Sequence, residues 1–314
     1  MHDKYESPAR ELRGVRVIIN GVEIEDTFAE AFGMTATRLL ITADSPEWAA
    51  TAAASLTGFA TSVIACGCEA GIERPLGADE TPDGRPGLAV LIFGMSAKDL
   101  QKQLRDRVGQ CVLTCAGTAC FAGIRDGAPL KLGGALRYFG DGHQISKRLG
   151  ERRYWRIPVM DGEFVCDDAV GTTKAVGGGN ILILGASRPA VLAAAEAAVA
   201  AMRAVPEVIL PFPGGIVRSG SKVGSKYKGL IASTNDAYCP TIKGQTSTAL
   251  APEVAAVLEI VIDGLTADAV RAATRAGIAA ACARGSANGV LKISAGNYGG
   301  KLGKFHFHLR EVMA

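Results

Sequence analysis

Ile181-Leu182-Ile183-Leu184-Gly185-Ala186-Ser187-Arg188-Pro189 runs into the alanine-rich stretch Ala190 to Met202 and then into Val208-Ile209-Leu210. This reads as strand, capped helix, strand. A serine hydroxyl accepts one of the orphan N–H groups at a helix start, and proline in the first turn has no helical N–H to lose. The same order occurs earlier in the chain. Leu39-Leu40-Ile41 leads to Ser45-Pro46, an alanine-rich helix and then Ser62-Val63-Ile64, with Ser45 and Ser187 142 residues apart.

A second correspondence lies downstream in each half. Leu88-Ala89-Val90-Leu91-Ile92 runs into Gly94-Met95-Ser96-Ala97 and a helix carrying Leu100, Leu104 and Val108. Leu258-Glu259-Ile260-Val261-Ile262 runs into Gly264-Leu265-Thr266-Ala267 and a helix through Ala281. Ser96 with Asp99 forms a capping box and Thr266 is a further N-cap. Final strands are expected near Cys111–Thr114 and Val290–Ser294. Each half therefore reads β-α-β-β-α-β, and the predicted fold class is α+β, two ferredoxin-like lobes from an internal duplication.

The second correspondence has a spacing of 170 residues, from Gly94 to Gly264, so the second half carries about 28 extra residues between its second and third strands. The expected organisation is an N-terminal extension at 1–18, an N-terminal lobe at 19–158 and a C-terminal lobe at 159–314 with an insert at 211–256. Long excursions from a lobe are usually functional or disordered, and this insert is too specific in composition for a linker.

Composition narrows the function classes. Of 314 residues, 48% are hydrophobic and 21% charged, enough for real cores. The 39 glycines follow no collagen period, so they serve turns and close backbone approaches. A net charge of +3 is too mild to imply nucleic-acid binding. No signal peptide or membrane span is read, which makes the expected location cytoplasmic and the eight cysteines reduced thiols.

Glu259 is the sharpest single residue, since the matching place in the first half is Ala89. Its neighbours are apolar on both strand parities, so both sheet faces read as covered and a carboxyl there would have a raised pKa. Such an acid can stay protonated and donate to a developing oxyanion. The alternative is a glutamate pointing at water from a half-buried strand. In the insert, Arg218, Lys222, Lys226 and Lys228 alternate with small residues and could gather a phosphate or polycarboxylate, or form a solvated basic loop. Ser233-Thr234-Asn235-Asp236-Ala237-Tyr238-Cys239-Pro240 is either a turn or a polar ligand wall.

Other motifs carry less. Ala295-Gly296-Asn297-Tyr298-Gly299-Gly300-Lys301-Leu302 is a near miss for a phosphate loop, and Gly177-Gly178-Gly179 precedes a strand rather than opening a helix. Cys66/Cys68 and Cys111/Cys115/Cys120 lack metal-site spacing, and His306 with His308 offers only two ligands. Cys239 has no histidine near it in sequence to activate a nucleophile.

Several ordered blocks resemble the formylmethanofuran:tetrahydromethanopterin formyltransferase family. They are Gly21 to Phe32, Glu80 to Gly87, Pro211-Phe212-Pro213-Gly214-Gly215-Ile216-Val217, Ser221 to Lys226, Ser233 to Pro240 and Lys292 to Asn297. The resemblance runs from about Ile19 to the carboxyl end. It implies a cytoplasmic one-carbon enzyme that moves a formyl group between a methanofuran-type amine and N5 of tetrahydromethanopterin. These two carriers are its one-carbon cofactors, with no metal in this subunit. The family's active-site glutamate falls on Glu259. Substrate-binding positions implied by the matched blocks are Gly214, Gly215, Ser221, Lys222, Ser225, Lys226, Ser233, Thr234, Asn235, Asp236 and Tyr238.

The resemblance also implies a homodimer or homotetramer, without nucleic-acid or membrane partners. The charged segment Met1–Val17 and the basic stretch Ser146–Arg156 are similar to the bacterial version, a subunit of a formyltransferase/hydrolase complex that uses a methylofuran-like carrier on the way from formaldehyde to formate. Both segments are then candidate docking surfaces for other subunits, or else simply solvated. A non-catalytic, carrier-binding scaffold of the same complex is the alternative to an active formyltransferase.

Overall fold

All four helix starts read from the sequence are formed with the expected caps. Ser45, Ser96, Ser187 and Thr266 accept the backbone N–H groups of Trp48, Asp99, Ala190 and Ala269. The computed structural model describes residues 16–314, so most of the expected extension at 1–18 lies outside the described residues.

In chain order the first elements are β1 (Val17–Ile19), β2 (Val22–Ile24), β3 (Phe28–Thr42), α1 (Pro46–Thr57), the one-turn α2 (Val63–Cys66), β4 (Glu69–Leu76), β5 (Gly87–Gly94), α3 (Ala97–Arg107) and β6 (Ala119–Ala122). Next come β7 (Leu130–Lys131), α4 (Gly133–Leu136), β8 (Ile145–Leu149), β9 (Arg152–Val159), β10 (Gly162–Asp167) and β11 (Ala169–Val170). The remainder is β12 (Thr173–Gly185), α5 (Arg188–Arg203), β13 (Val208–Ile209), β14 (Lys222–Val223), β15 (Ala232–Ser233), β16 (Ala256–Gly264), α6 (Ala267–Ala283), β17 (Val290–Ser294), β18 (Phe305–His308) and α7 (Leu309–Met313).

Two strand expectations are corrected. Ser62-Val63-Ile64 is the capped start of α2, and the second strand of the first half is β4. Cys111–Thr114 is no strand either, because α3 continues into a π-type turn over Val108–Val112 and the final strand is β6. Apolar runs without clear periodicity fit a buried helix turn as well as a strand.

The fold is mixed α/β with two lobes on one continuous 14-stranded sheet. In the first lobe the strands lie in the order β4-β5-β3-β6, and in the second β13-β16-β12-β17. The lobes are joined because the two long strands β3 and β12 overrun their own lobes. Phe32–Ala36 of β3 pairs antiparallel with Thr173–Gly177 of β12. Helices α1 and α3 bury Ala52, Ala53, Leu56, Leu100 and Leu104 on the first lobe's sheet. Helices α5 and α6 bury Val191, Ala195, Val199, Val270 and Ile278 on the second. A separate cluster of Met34, Phe93, Ala175, Ile209 and Leu265 seals the junction between lobes.

Strand pairing does not follow the expected boundaries. β2 bonds β17, so Val22 and Ile24 belong to the C-terminal core. The hairpin β9–β10 straddles 158/159, and β10 pairs with β6 of the first lobe. The segment expected to be the insert runs between β13 and β16. Its Leu250 and Val254 pack on Leu182 and Leu184 of β12, covering the sheet face opposite α5 and α6. That cover explains why β16 is apolar on both parities.

Candidate active site

The covered face of β16 carries Glu259. Its main chain is held on both sides, paired to Leu182 of β12 and bridged to Val217 of the insert, the bridge having N–H···O distances of 2.7 and 2.9 Å. A strand fixed in this way aims the side chain without help from the carboxyl itself. Burial, with no counter-charge or donor reaching it among the described residues, lifts the Glu259 carboxyl from its ordinary value to about 7. A large share of it is therefore protonated near neutrality.

Glu259 stands where two cavities meet. One, of about 340 Å³, is polar and is walled by Arg218 to Lys222, Asn235, Tyr238 and Cys239 of the insert and by Gly296, Asn297 and Tyr298. The other, of about 420 Å³, opens between the lobes and is lined by apolar groups including Phe32, Met34, Ile64, Phe212 and Val261. Ser221, Lys222, Asn180 and Tyr298 border both cavities.

The expected binding residues separate into three sets. Ser221, Lys222, Asn235 and Tyr238 line the site beside Glu259. Ser233, Thr234 and Asp236 brace its wall: Ser233 donates to Gly224 O, Thr234 donates to Ser219 O, and Asp236 pairs with the Lys222 ammonium at 2.6 Å. That ammonium holds Asp236 below the ordinary carboxylate range. Gly214, Gly215, Ser225 and Lys226 do not line either cavity. Gly214 and Gly215 instead turn the chain at φ 66° and 85° where the insert leaves the sheet.

Three contributors escape a reading of the sequence alone: Asn180, Tyr298 and Glu30. Asn180 exchanges two hydrogen bonds with the Gly296 backbone, at 3.0 and 2.5 Å. Glu30 is fully buried and accepts from the N–H groups of Tyr298, Gly300, Leu302 and Gly303 at 2.6–2.9 Å. Burial opposes its charge, but the four donors outweigh that and hold the carboxyl down at about 2. The stretch Ala295–Leu302, a near miss for a phosphate loop, is thus a cavity wall wrapped on a carboxylate. Its density of glycine and polar residues was the available signal. Of the other candidates, His306 and His308 pack on the Phe28 ring, centroids 4.9 and 5.1 Å away. All eight cysteines are unbridged, and the described residues hold no cluster of three or more metal-ligating side chains.

A two-lobed α/β chain with a carboxyl of raised pKa at the junction of two ligand-sized cavities has the build of a group-transfer enzyme of the acyl type. Sequence comparison makes this specific. The family model described as formylmethanofuran-tetrahydromethanopterin formyltransferase matches residues 17–159, and that for the proximal lobe of the same protein matches 162–312. The chain belongs to this formyltransferase family. The family's enzyme from Methylococcus capsulatus is 66% identical over 298 residues, covering 95% of this chain and all of that protein. One subunit of the formyltransferase/hydrolase complex of Methylorubrum extorquens is 58% identical, covering 94% of this chain and 97% of that one. The crystal structure of that complex with methylofuran superposes with a TM-score of 0.93 at 57% identity, covering 96% of this chain and 99% of the matched one. The Methanosarcina barkeri formyltransferase superposes at 0.88 with 48% identity, covering 94% and 100%.

Proposed function

We propose that this protein transfers a formyl group between N5-formyl-tetrahydromethanopterin and a methanofuran- or methylofuran-type amine, and that Glu259 is the acid of the reaction. The observation that carries the reading is the unpartnered, buried Glu259 carboxyl at the meeting point of two cavities, in a chain of this family. The amine nitrogen of the acceptor attacks the formyl carbon, and the new C–N bond puts negative charge on the formyl oxygen. Protonated Glu259 donates a hydrogen bond to that oxygen, stabilising the tetrahedral intermediate more than the ground state. The donor's C–N bond then breaks, and the proton lost by the attacking amine ends on the leaving nitrogen. Lys222, Ser221, Asn235 and Tyr238 hold the carriers in place. A non-catalytic scaffold would have no use for a carboxyl whose burial disfavours its charge. The test is formyl transfer by the purified protein between the two carriers, followed by the absorbance of the pterin. Transfer supports the reading, and binding of both carriers without transfer refutes it.

The finer architecture fits the duplication of a ferredoxin-like βαββαβ unit. Its support is the identical order of strands in the two halves and the four equivalent helix caps. As folding units the lobes divide between β10 and β12, with the β1–β2 hairpin completing the C-terminal lobe. The likeness to a subunit of the Methylorubrum complex supports assembly with further subunits, and a homodimer or homotetramer of this chain is proposed as the unit that joins them. The exposed β8–β9 hairpin at the sheet edge, with Lys147, Arg148 and Arg153, is a docking surface for them. A cytoplasmic location and operation towards formate belong to the same proposal. No helix of the described residues is long and apolar enough to cross a membrane.

A further inference from the structure

Two acids outside the proposed chemistry meet at the junction of the lobes. Asp263 lies on β16 four residues beyond Glu259, and Glu69 opens β4 of the other lobe. Asp263 is fully buried and Glu69 is 7% exposed. Each uses one oxygen on a backbone N–H: Asp263 Oδ1 accepts from Gly178 at 2.8 Å, and Glu69 Oε1 from Val63 at 3.1 Å. The second oxygens, Asp263 Oδ2 and Glu69 Oε2, are buried with no donor. The two side chains lie within hydrogen-bond reach of each other.

Two facing carboxylates in an apolar junction cannot both be charged, and two orphan acceptors cannot satisfy each other without a hydrogen. A single proton removes both problems, making one acid the donor to its neighbour. We propose that Glu69 and Asp263 hold one proton between them and thereby position the two walls of the apolar cavity beside Glu259.

The connections to the cavity are direct. Val63 belongs to α2, which supplies the wall from the first lobe together with Ser62 and Ile64. Gly178 sits at φ 81° in the bulge of β12, and with Gly177 it supplies the wall from the second. The bulge also leads to Asn180, which holds the Gly296 backbone of the polar cavity. Glu69 and Asp263 touch no reacting atom; they are positioning residues, and their role in transfer rests on Glu259 being the acid of that reaction.

The charged and titratable surroundings are few. Burial raises both acids, and the Glu69 charge raises Asp263 further. The Cys68 thiol adjoins Glu69, while Glu30, Lys222, Glu259 and Tyr298 line the same cavity. Further along β4, Glu73 is already neutralised by the Arg38 guanidinium at 2.6 and 2.7 Å. The folded chain holds a proton that unfolded carboxylates release, so stability falls as pH rises towards the titration of the pair.

The test compares the parent protein with D263N, E69Q and D263A in buffers of constant ionic strength. The melting temperature of the parent falls as pH rises above the ordinary carboxylate range. D263N retains Oδ1 for Gly178 and donates an amide hydrogen in place of the shared proton, so its fall with rising pH is shallower. E69Q does the same from the other side and guards against a single variant that fails to fold. In formyl transfer, D263A raises KM about tenfold with a smaller loss of kcat, and D263N recovers most of that loss. A pH dependence of melting unchanged in both amide variants overturns the proposal, as does failure of both to fold. A parent stability that depends on sodium or potassium and loses this dependence in D263N also overturns it, by placing a cation where the proton is inferred. The melting slopes need no turnover, so they test the pair even where formyl transfer is absent.

Discussion

Replacing Glu30 by glutamine is the most informative perturbation of the scaffold around the site. The change is isosteric, yet it removes the property the loop depends on, two oxygens that only accept. In the protein those oxygens take four backbone N–H groups, from Tyr298, Gly300, Leu302 and Gly303. The glutamine oxygen serves two of them at reduced strength, and its NH₂ group faces the other two donors. A hydrogen bond to a charged group contributes roughly 1.5–3 kcal/mol net, and an orphaned buried donor costs about 1–3 kcal/mol. Water reaches the exposed edge of this loop at Gly299 and Lys301, which reduces the penalty. E30Q is therefore expected to lose about 3 kcal/mol. In a chain of 314 residues that lowers the melting temperature by roughly 4–5 °C. The carboxyl sits at about 2 in the fold, so its contribution is present above the unfolded value and is lost as pH falls from about 4.5 through about 2. The stability gap between parent and E30Q should accordingly close in acid. Urea unfolding at pH 7 and at low pH measures both effects. A neutral-pH loss below about 0.5 kcal/mol would refute the view that Glu30 organises this wall.

Other consequences are open to measurement. Lys222 is the cation that borders both cavities, so K222A should raise the KM of an anionic carrier about tenfold, a loss of ~1.4 kcal/mol. Its pair with Asp236 is partly exposed, so unfolding free energy should change by less than about 1 kcal/mol, and an unchanged KM counts against a carrier-binding role. Initial-rate profiles should show kcat/KM for transfer falling as pH rises through about 7, where Glu259 loses its proton. A rate that climbs through that range is incompatible with an acid role. Gly127 has φ 85°, and a Cβ there would stand 2.0 Å from the Thr172 carbonyl oxygen. G127A should cost about 3 kcal/mol or more in urea unfolding, and a cost under about 1 kcal/mol would show that the 127/172 contact is easily relaxed.

Much of this architecture was legible in local chemistry. Serine or threonine at the cap position marked helix starts, because a cap bond needs only residues three apart. Glu259 was legible because apolar neighbours on both parities imply cover on both faces, and the insert supplies the second cover. The failures have a common physical origin. Val108–Val112 winds as a π-type turn, and its apolar side chains suit a helix or a strand equally. The pairing of β3 with β12, and of β2 with β17, depends on segments far apart in the chain and leaves no periodic trace. Glu30 reads locally as one acid in a strand, and only the loop 268–273 residues later shows what it binds. Asp263 likewise gains its meaning from Glu69, across the lobe junction.

The central claim is that a protonated Glu259 stabilises the oxyanion of formyl transfer. The direct measurement is single-turnover formyl transfer by E259Q, with both carriers saturating, beside its melting temperature at pH 8. Glutamine keeps the shape and a weaker donor but lacks the acid proton. The account predicts a fall in rate of about 10²–10³, the scale of one oxyanion donor, with carrier affinity largely kept. It also predicts a higher melting temperature than the parent at pH 8, because the buried carboxyl that ionises through about 7 is gone. Transfer at close to the parent rate would contradict the claim.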